Sequence, residues 1–267
     1  MAEKVVAREY KVMLRAEQFA GDESKLLDAA NGFWRAFTQA INLLVIDTDG
    51  SLRKITDRRI INFYDTDTHL LYKGNDYILR VRRNTSKDER EVTLKFRHRD
   101  RYIAQDRDMD AREASQEKKF EEDIKSPFTV LYSFSTTQAF AATKHLNTLN
   151  DAIQLYPDLA DKLTNYTGEE AIHTVKHPVR ELVIKGGKFQ IRKEPKVNAE
   201  CALIAWYEDN AENPVVVEFS FRYGDENETY TRKMAQRAYE VFEVLQKLTS
   251  WLDPNPKTKT AYIYNND

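Results

Sequence analysis

Two neighbouring stretches decide the fold: Tyr77-Ile-Leu-Arg-Val-Arg-Arg83 and Glu91-Val-Thr-Leu-Lys-Phe-Arg97. In each stretch charged and apolar side chains alternate, and this period of two residues is typical of a β-strand. The cationic side chains share one face of each strand: Arg80 and Arg82 in the first, Lys95 and Arg97 in the second. The opposite faces are apolar. Such a pair of strands predicts a sheet with one cationic face and one apolar face.

The same alternation recurs on both sides of these two strands. Further candidate strands are residues 5–14, 60–65, 118–124, 180–185, 188–192, 200–208 and 215–223. Three segments have the period of an amphipathic helix instead: residues 26–41, 146–153 and 234–252. Eight or so strands, few helices and no regular strand–helix–strand alternation predict an α+β fold. Its sheet should be largely antiparallel and closed, or nearly closed, into a barrel.

Composition and charge exclude several classes of protein. Of the 267 residues, 41% are hydrophobic and 31% are charged, which is a globular composition. Lys and Arg number 41 against 43 Asp and Glu, so bulk binding to nucleic acid is not expected. The single cysteine, Cys201, suits a reducing compartment and a place in the core. The first residues lack the apolar segment of a signal peptide, and no stretch approaches the ~20 apolar residues that span a bilayer. We expect a soluble, cytoplasmic protein without a membrane partner.

The cationic strands lie in a locally basic segment. Between Ile78 and Arg107, ten Lys and Arg residues stand against five Asp and Glu residues. Like-charged faces on neighbouring strands repel each other unless carboxylates or a bound anion lie among them. A barrel lined by Arg and Lys, with Glu at one side, is a site for a highly charged anion and a divalent cation. Guanidinium matches phosphate oxygens, and carboxylates hold Mg²⁺ or Mn²⁺. The alternative is that each charged face meets water and only the apolar face meets a core.

Several separate motifs occur in a characteristic order. Ile61-Asn-Phe-Tyr-Asp-Thr-Asp-Thr-His-Leu-Leu is followed by Gly74, then Ile78-Leu-Arg-Val-Arg-Arg, then Val92-Thr-Leu-Lys. This order, most specifically between Tyr64 and Lys95, resembles the CYTH superfamily. These are the triphosphate tunnel metalloenzymes, which include thiamine triphosphatases, inorganic triphosphatases and class IV adenylate cyclases. The resemblance implies an eight-stranded antiparallel β-barrel, the triphosphate tunnel, with flanking helices. It also implies a single domain over residues 1–267, with a helical insertion at 135–175.

The resemblance implies roles for individual residues. Inward Lys and Arg side chains would bind the phosphates of a triphosphate: Lys11, Arg80, Arg82, Lys95, Arg97, Arg180 and Lys259. Carboxylates would hold Mg²⁺ or Mn²⁺: Glu9 and Glu218, with Glu121 as a mid-chain ligand. The catalytic set would be Glu9, Lys11 and Glu218.

The family pattern has a Glu-x-Glu motif on the opening strand and another on the closing strand, and this sequence departs from both. Ala7 stands where the opening strand would carry its first carboxylate, and Ser220 stands where the closing strand would carry its second. Mg²⁺ keeps several waters and needs only one or two carboxylates when phosphates supply further oxygens. Two functions therefore stay open. One is a divalent-metal-dependent phosphohydrolase acting on an inorganic or small organic triphosphate. The other is a catalytically weakened module that binds triphosphate, polyphosphate or an RNA 5′ end. Adenylate cyclase activity ranks below hydrolysis, because no residue selects an adenine ring.

Overall fold

The structure is a computed structural model that describes residues 3–264. Its strands are β1 (Ala7–Leu14), β2 (Asp47–Asp49), β3 (Ile55–Asp65), β4 (Tyr77–Asn84), β5 (Glu89–His98), β6 (Glu117–Lys125), β7 (Thr129–Ala139), β8 (His173–Thr174), β9 (Val179–Arg192), β10 (Val197–Tyr207) and β11 (Val216–Gly224). Its helices are α1 (Glu23–Ile41), α2 (Arg101–Gln105), α3 (Leu149–Leu155), α4 (Leu159–Lys162), α5 (Arg232–Leu245) and α6 (Lys259–Tyr264). A 3₁₀ turn spans Ala16–Phe19, and a π turn spans Leu70–Gly74.

The two long helices follow the predicted apolar periodicity. α1 begins after Asp22, whose side chain accepts a hydrogen bond from the backbone N–H of Lys25 at 2.9 Å, as an N-cap residue should. α5 ends at Leu245, earlier than the predicted end at Leu252, although Leu252 still packs against the same core. No helix within residues 3–264 is long and apolar enough to cross a bilayer.

Nine of the strands close into a barrel. Each is hydrogen-bonded to the next in the order β9-β10-β11-β1-β6-β7-β5-β4-β3, and β3 pairs with β9 to complete the ring. Every pair is antiparallel except β1–β6, which is parallel. The prediction of eight antiparallel strands misses β7. A ring with an odd number of strands cannot close through antiparallel pairs alone, so the ninth strand requires one parallel pair.

The segment predicted as a helical insertion, 135–175, begins inside a strand. Residues 135–139 belong to β7, and the short helices α3 and α4 follow. Tyr156 anchors these helices to the outer wall of the barrel. Its buried hydroxyl accepts a hydrogen bond from the N–H of Leu94 at 3.2 Å. It lies 2.8 Å from the carbonyl oxygen of Val92 and 3.0 Å from that of Thr136.

Apolar layers cover the outside of the barrel on two sides. On one side, outward side chains of β1, β9, β10 and β11 pack against α1 and α5, and the buried Cys201 lies in this layer. On the other side, outward side chains of β4 to β7 pack against α2, α3 and α4. Because these layers take up the apolar faces of β1, β4, β5 and β11, the charged faces of these strands line the interior of the barrel. The alternative in which those charged faces meet bulk water is therefore wrong.

One end of the barrel is filled by side chains. Helix α6 places Ile263 and Tyr264 in a cluster with Phe63, Trp206 and Val216. The ring of Phe63 lies 5.9 Å from that of Trp206 and 6.5 Å from that of Tyr264, in tilted and edge-on contacts that suit aromatic packing. This plug closes one end of the interior.

Candidate functional site

The interior of the barrel, which we call the channel, is lined by charged side chains from most strands of the ring. Its cations include Lys11, Arg59, Arg80, Arg82, Lys95, Arg97 and Lys125, and Lys259 enters from α6. Its carboxylates include Glu9, Asp123, Glu181 and Glu218. Charges removed from water need partners in the protein or in a ligand, so the pairing of these groups decides what the channel can hold.

Asp123 is the centre of the deepest cluster. Its side chain is fully buried, and its oxygens lie 2.9 Å from Lys11 Nζ, 3.5 Å from Lys95 Nζ and 3.6 Å from Arg97 Nε. Burial raises the pKa of Asp123, but the charges of Lys11, Lys95 and Arg97 outweigh it and hold that pKa well below its usual value. One carboxylate thus faces three cations.

Lys11 lies among carboxylates from three strands. Its Nζ is 2.8 Å from Glu9 Oε2 and 2.9 Å from Asp123 Oδ1. Burial lowers the pKa of Lys11, but Asp123, Glu9 and Glu218 outweigh burial and hold that pKa above its usual value. Burial also raises the pKa of Glu9, whereas the charge of Lys11 and hydrogen bonds from Lys11 and Ser220 bring it below its usual value.

A second cluster lies beside the plug. Lys259 Nζ is 2.8 Å from Glu218 Oε1 and 5.6 Å from the ring centre of Trp206. The indole N–H of Trp206 donates to Glu181 at 2.9 Å, and Arg59 lies 3.2 Å from the same carboxylate. Burial raises the pKa of Glu181, but Lys259 and neighbouring guanidinium groups outweigh it and bring that pKa to about 2.

Three guanidinium groups in the channel leave hydrogen-bond donors unused. The Nε atoms of Arg80, Arg82 and Arg97 are buried without a hydrogen-bond partner in the described part of the chain. Within that part, Arg80 also lacks any ion-pair partner within 4 Å. Burial and repulsion from Arg82 lower the pKa of Arg80 to about 9. Glu181 and Glu91 attract Arg80 from a distance but do not pair with it, so its positive charge is only partly compensated by the protein.

Two lysines in the channel are held where their charge is disfavoured. Burial and repulsion from Arg97 lower the pKa of Lys95 to about 7, although Asp123 attracts the ammonium group and acts in the opposite direction. Burial and repulsion from Arg97 lower the pKa of Lys125 to about 8. An anion in the channel would favour the charged form of both lysines.

A cavity of about 530 Å³ lies at the end of the channel opposite the plug. Its lining includes Arg59 and Arg82 from the channel and Arg90 from the rim. Arg82 is paired there with Glu91 at 2.7 Å. The volume lies within the range of small-molecule sites. Larger cavities of about 890 and 990 Å³ lie on the outer wall, and carboxylates accompany the cations in all three cavities.

The channel brings together eight of the predicted site residues: Glu9, Lys11, Arg80, Arg82, Lys95, Arg97, Glu218 and Lys259. Arg180 is not among them. It lies on the outer face of β9, over the ring of Tyr207, and donates to the carbonyl of Ala211 at 2.7 Å. Glu121 lies on the inward face of β6 beside Arg222, at 3.4 Å, in register with Ala7. The carboxylate at the centre of the cations is Asp123, which sequence reasoning missed.

The Tyr-Asp-Thr segment has a structural role. Asp65 is fully buried at the end of β3, and its carboxylate accepts hydrogen bonds from the backbone N–H groups of Thr66, Leu71 and Tyr72 at 2.8, 2.8 and 3.0 Å. Burial raises the pKa of Asp65 in spite of these bonds. Asp65 therefore holds the π turn that leads into β4, and so helps to position Arg80 and Arg82.

The carboxylates of the channel do not fit a divalent metal. Within residues 3–264 no three Asp, Glu, His or Cys side chains are arranged to hold an ion. Glu9 is occupied by Lys11 and Glu218 by Lys259, each at 2.8 Å. Ala7, in line with Glu9 on the inward face of β1, adds no ligand. The geometry favours an anion site whose positive charge comes from the protein.

Comparison with known proteins finds remote structural likenesses. No family model matches the chain, and no curated protein matches it. A putative adenylyl cyclase, HpAC1, from Hippeastrum, described as having a dominant triphosphatase activity, is 10% identical, with a TM-score of 0.49 over 97% of this chain and 95% of that one. A putative adenylate cyclase from Vibrio parahaemolyticus is 11% identical, with a TM-score of 0.34 over 97% of both chains. A chain of the Schizosaccharomyces pombe Mediator head module is 8% identical, with a TM-score of 0.34 over 92% of this chain and 96% of that one. Function is therefore argued below from the channel itself.

Proposed function

We propose that this chain binds a linear oligophosphate of the triphosphate class inside the channel. The observation that carries the proposal is the set of buried Nε donors on Arg80, Arg82 and Arg97 that make no hydrogen bond within the described residues. Buried polar groups in folded proteins are almost always hydrogen-bonded, so three unsatisfied guanidinium donors on the inward faces of two neighbouring strands favour a ligand in the channel. Planar guanidinium groups match phosphate oxygens in charge and in geometry.

The spacing of the cations favours an extended anion over a single phosphate. Arg82 and Arg80 are successive inward positions of β4, and the next inward position, Ile78, lies opposite Lys95 on β5. At a rise of about 3.4 Å per residue, these three levels extend over roughly 14 Å along the strand. A chain of phosphate groups can contact all three levels, whereas one phosphate contacts one.

Metal-dependent hydrolysis remains a prediction from the sequence and ranks second. Hydrolysis needs a positioned water activated beside the terminal phosphate. Glu9 and Glu218 are the carboxylates predicted for this role, and each is paired with a lysine at 2.8 Å. Neither carboxylate is free to activate a water or to hold an ion in this arrangement. Binding therefore has more support than turnover.

The test is a calorimetric titration of tripolyphosphate into the full chain at pH 7 and low salt. We expect binding that weakens as salt is added, because the attraction is electrostatic. We expect Arg80→Met to weaken binding at least tenfold, because a charge-assisted hydrogen bond contributes about 1.5–3 kcal/mol and about 1.4 kcal/mol is a factor of ten.

Arg83→Met is the matched control. Arg83 lies on the same strand, one residue after Arg82, with its side chain on the outer face and 44% exposed. We expect its affinity to equal that of the wild type. Absence of binding by the folded wild-type chain, or an equal loss in both variants, would contradict the proposal. Phosphate release, assayed in parallel with Mg²⁺ or Mn²⁺, would restore hydrolysis as the leading function.

A further inference from the structure

The ammonium group of Lys11 occupies a position that carboxylates surround. Glu9, on the same strand, lies 2.8 Å away, and Asp123, on the parallel neighbour β6, lies 2.9 Å away. Glu218, on the antiparallel neighbour β11, acts on Lys11 electrostatically. Asp123 is fully buried, and the Lys11 side chain is only 13% exposed. A cation bound among these carboxylates would have to displace this ammonium group.

Lys259 makes the same arrangement beside the plug. Its ammonium group is 2.8 Å from Glu218, and it also acts on the carboxylate of Glu181. Lys259 belongs to α6, and its neighbour Thr260 accepts a hydrogen bond from Arg97 Nη1 at 2.8 Å. The helix that closes the barrel therefore also brings a fixed positive charge into the channel.

Two inward positions that could have added negative charge are neutral. Ala7 precedes Glu9 by two residues on the inward face of β1, and Ser220 follows Glu218 by two residues on the inward face of β11. Fewer carboxylates suit a cation of charge +1 better than one of charge +2, because each uncompensated charge in a protein interior is costly. The four carboxylates of the channel are instead paired with Lys11, Lys259 and neighbouring cations of the protein.

We propose that the channel binds oligophosphate without a divalent metal, because Lys11 and Lys259 supply, as fixed ammonium groups, the positive charge between carboxylates and phosphates. This inference rests on the proposed function. It assigns Lys259 in particular as the residue that makes metal unnecessary, since its ammonium group pairs with Glu218 and also attracts the carboxylate of Glu181, where a metal ion would otherwise supply the positive charge. Mg²⁺ in solution should then compete for the ligand, because it neutralises free tripolyphosphate.

The first arm of the test compares wild-type titrations with tripolyphosphate in excess chelator and in Mg²⁺ or Mn²⁺. We expect an affinity in chelator equal to or higher than that with metal. Affinity more than about threefold higher with metal, or binding with metal only, would overturn metal independence and leave the proposed function intact. Absence of binding under both conditions would overturn the proposed function, and this inference with it.

The second arm uses Lys259→Ala, with Lys188→Ala as its control. Removing the Lys259 ammonium group leaves Glu218 without its partner. We expect affinity in chelator to fall at least tenfold and to be partly regained when Mg²⁺ or Mn²⁺ is added. Lys188 pairs with Asp49 on the surface of the same barrel, and its replacement should leave affinity and metal independence unchanged. A folded Lys259→Ala protein with wild-type affinity in chelator would overturn the role of Lys259. If Lys259→Ala fails to fold, Lys259→Met tests the role of Lys259 in the same way. The wild-type titrations of the first arm test metal independence without any variant.

Discussion

Lys95 and Lys11 are neighbours of the same carboxylate, yet their replacement should change stability in opposite directions. Both side chains are 13% exposed, and both face Asp123. Lys95 is 3.5 Å from that carboxylate and is repelled by Arg97, whereas Lys11 is 2.9 Å from it and has Glu9 as a second partner. Lys95→Met should therefore stabilise the ligand-free protein, and Lys11→Met should destabilise it.

The magnitude for Lys95 follows from its pKa, which falls from 10.5 to about 7. At 1.36 kcal/mol for each pKa unit, the upper limit of the cost of its charge at pH 7 is about 4 kcal/mol. Water and relaxation reduce such costs in real proteins, so we expect a gain of about 1–3 kcal/mol. For a chain of this size that raises Tm by about 2–6 °C. Removing Lys11 leaves Glu9 without its ion-pair partner and should lower the free energy of unfolding by about 3–5 kcal/mol.

The pH dependence has a definite sign. Below pH 7, Lys95 is charged in both the folded and the unfolded chain, so the folded protein carries the full cost. Between pH 7 and 10.5 the folded chain has lost this proton while the unfolded chain keeps it, and the cost declines to zero. The gain from Lys95→Met should therefore be largest at or below pH 7 and vanish near pH 10.5.

Thermal unfolding, followed by circular dichroism, measures the Tm of the wild type and of both variants at each pH. With saturating tripolyphosphate the wild type should become more stable than Lys95→Met, because the wild type binds the anion through Lys95 and gains more stability from it. The reasoning would be refuted if Lys95→Met lowered the Tm at pH 7 as much as Lys11→Met does.

Three further predictions concern protons and the scaffold. Calorimetry of tripolyphosphate binding at pH 8, in buffers of different ionisation enthalpy, should show net proton uptake, because the anion favours the charged form of Lys95; proton release would contradict this. Tyr156→Phe should lower the free energy of unfolding by about 1–3 kcal/mol in a denaturant titration. The N–H of Leu94 loses its acceptor, and the hydroxyl proton shared by the carbonyl groups of Val92 and Thr136 is lost. An unchanged midpoint would contradict that role. Asp65→Asn should lower the free energy of unfolding by a similar amount, about 1–3 kcal/mol, and speed hydrogen exchange in the π turn. The reason is that the amide cannot accept all three N–H bonds. Unaltered exchange would show that Asp65 does not hold the turn.

The inward cations could be predicted because their strands alternate cleanly. In β4 and β5 one face is apolar and the other charged, so a barrel with covered outer walls leaves one place for Arg80, Arg82, Lys95 and Arg97. Arg180 shows the limit of this reasoning. In β9 the inward positions hold Val179 and Glu181, so apolar residues occur on both faces, and a shift of one residue exchanges the faces.

Two features required tertiary information. β7 has buried polar residues on its outer face, Thr136 and Gln138, so its alternation is hidden, and the odd ring that needs a parallel pair could not be foreseen. The sequence predicts Glu121 as the mid-chain metal ligand, whereas the carboxylate among the cations is Asp123, which shares a face with it. The register of the parallel pair decides between them, because it sets Glu9 opposite Asp123 and Ala7 opposite Glu121.

An experimental structure of the chain with tripolyphosphate is the most direct measurement of the central claim. The account predicts a linear triphosphate inside the barrel, with its oxygens within hydrogen-bond distance of the guanidinium groups of Arg80, Arg82 and Arg97. It also predicts Lys11 and Lys259 still paired with their carboxylates. The account would be contradicted by a triphosphate bound only on the outer wall. It would also be contradicted if the arginine side chains of the channel bound no ligand at a saturating concentration of tripolyphosphate.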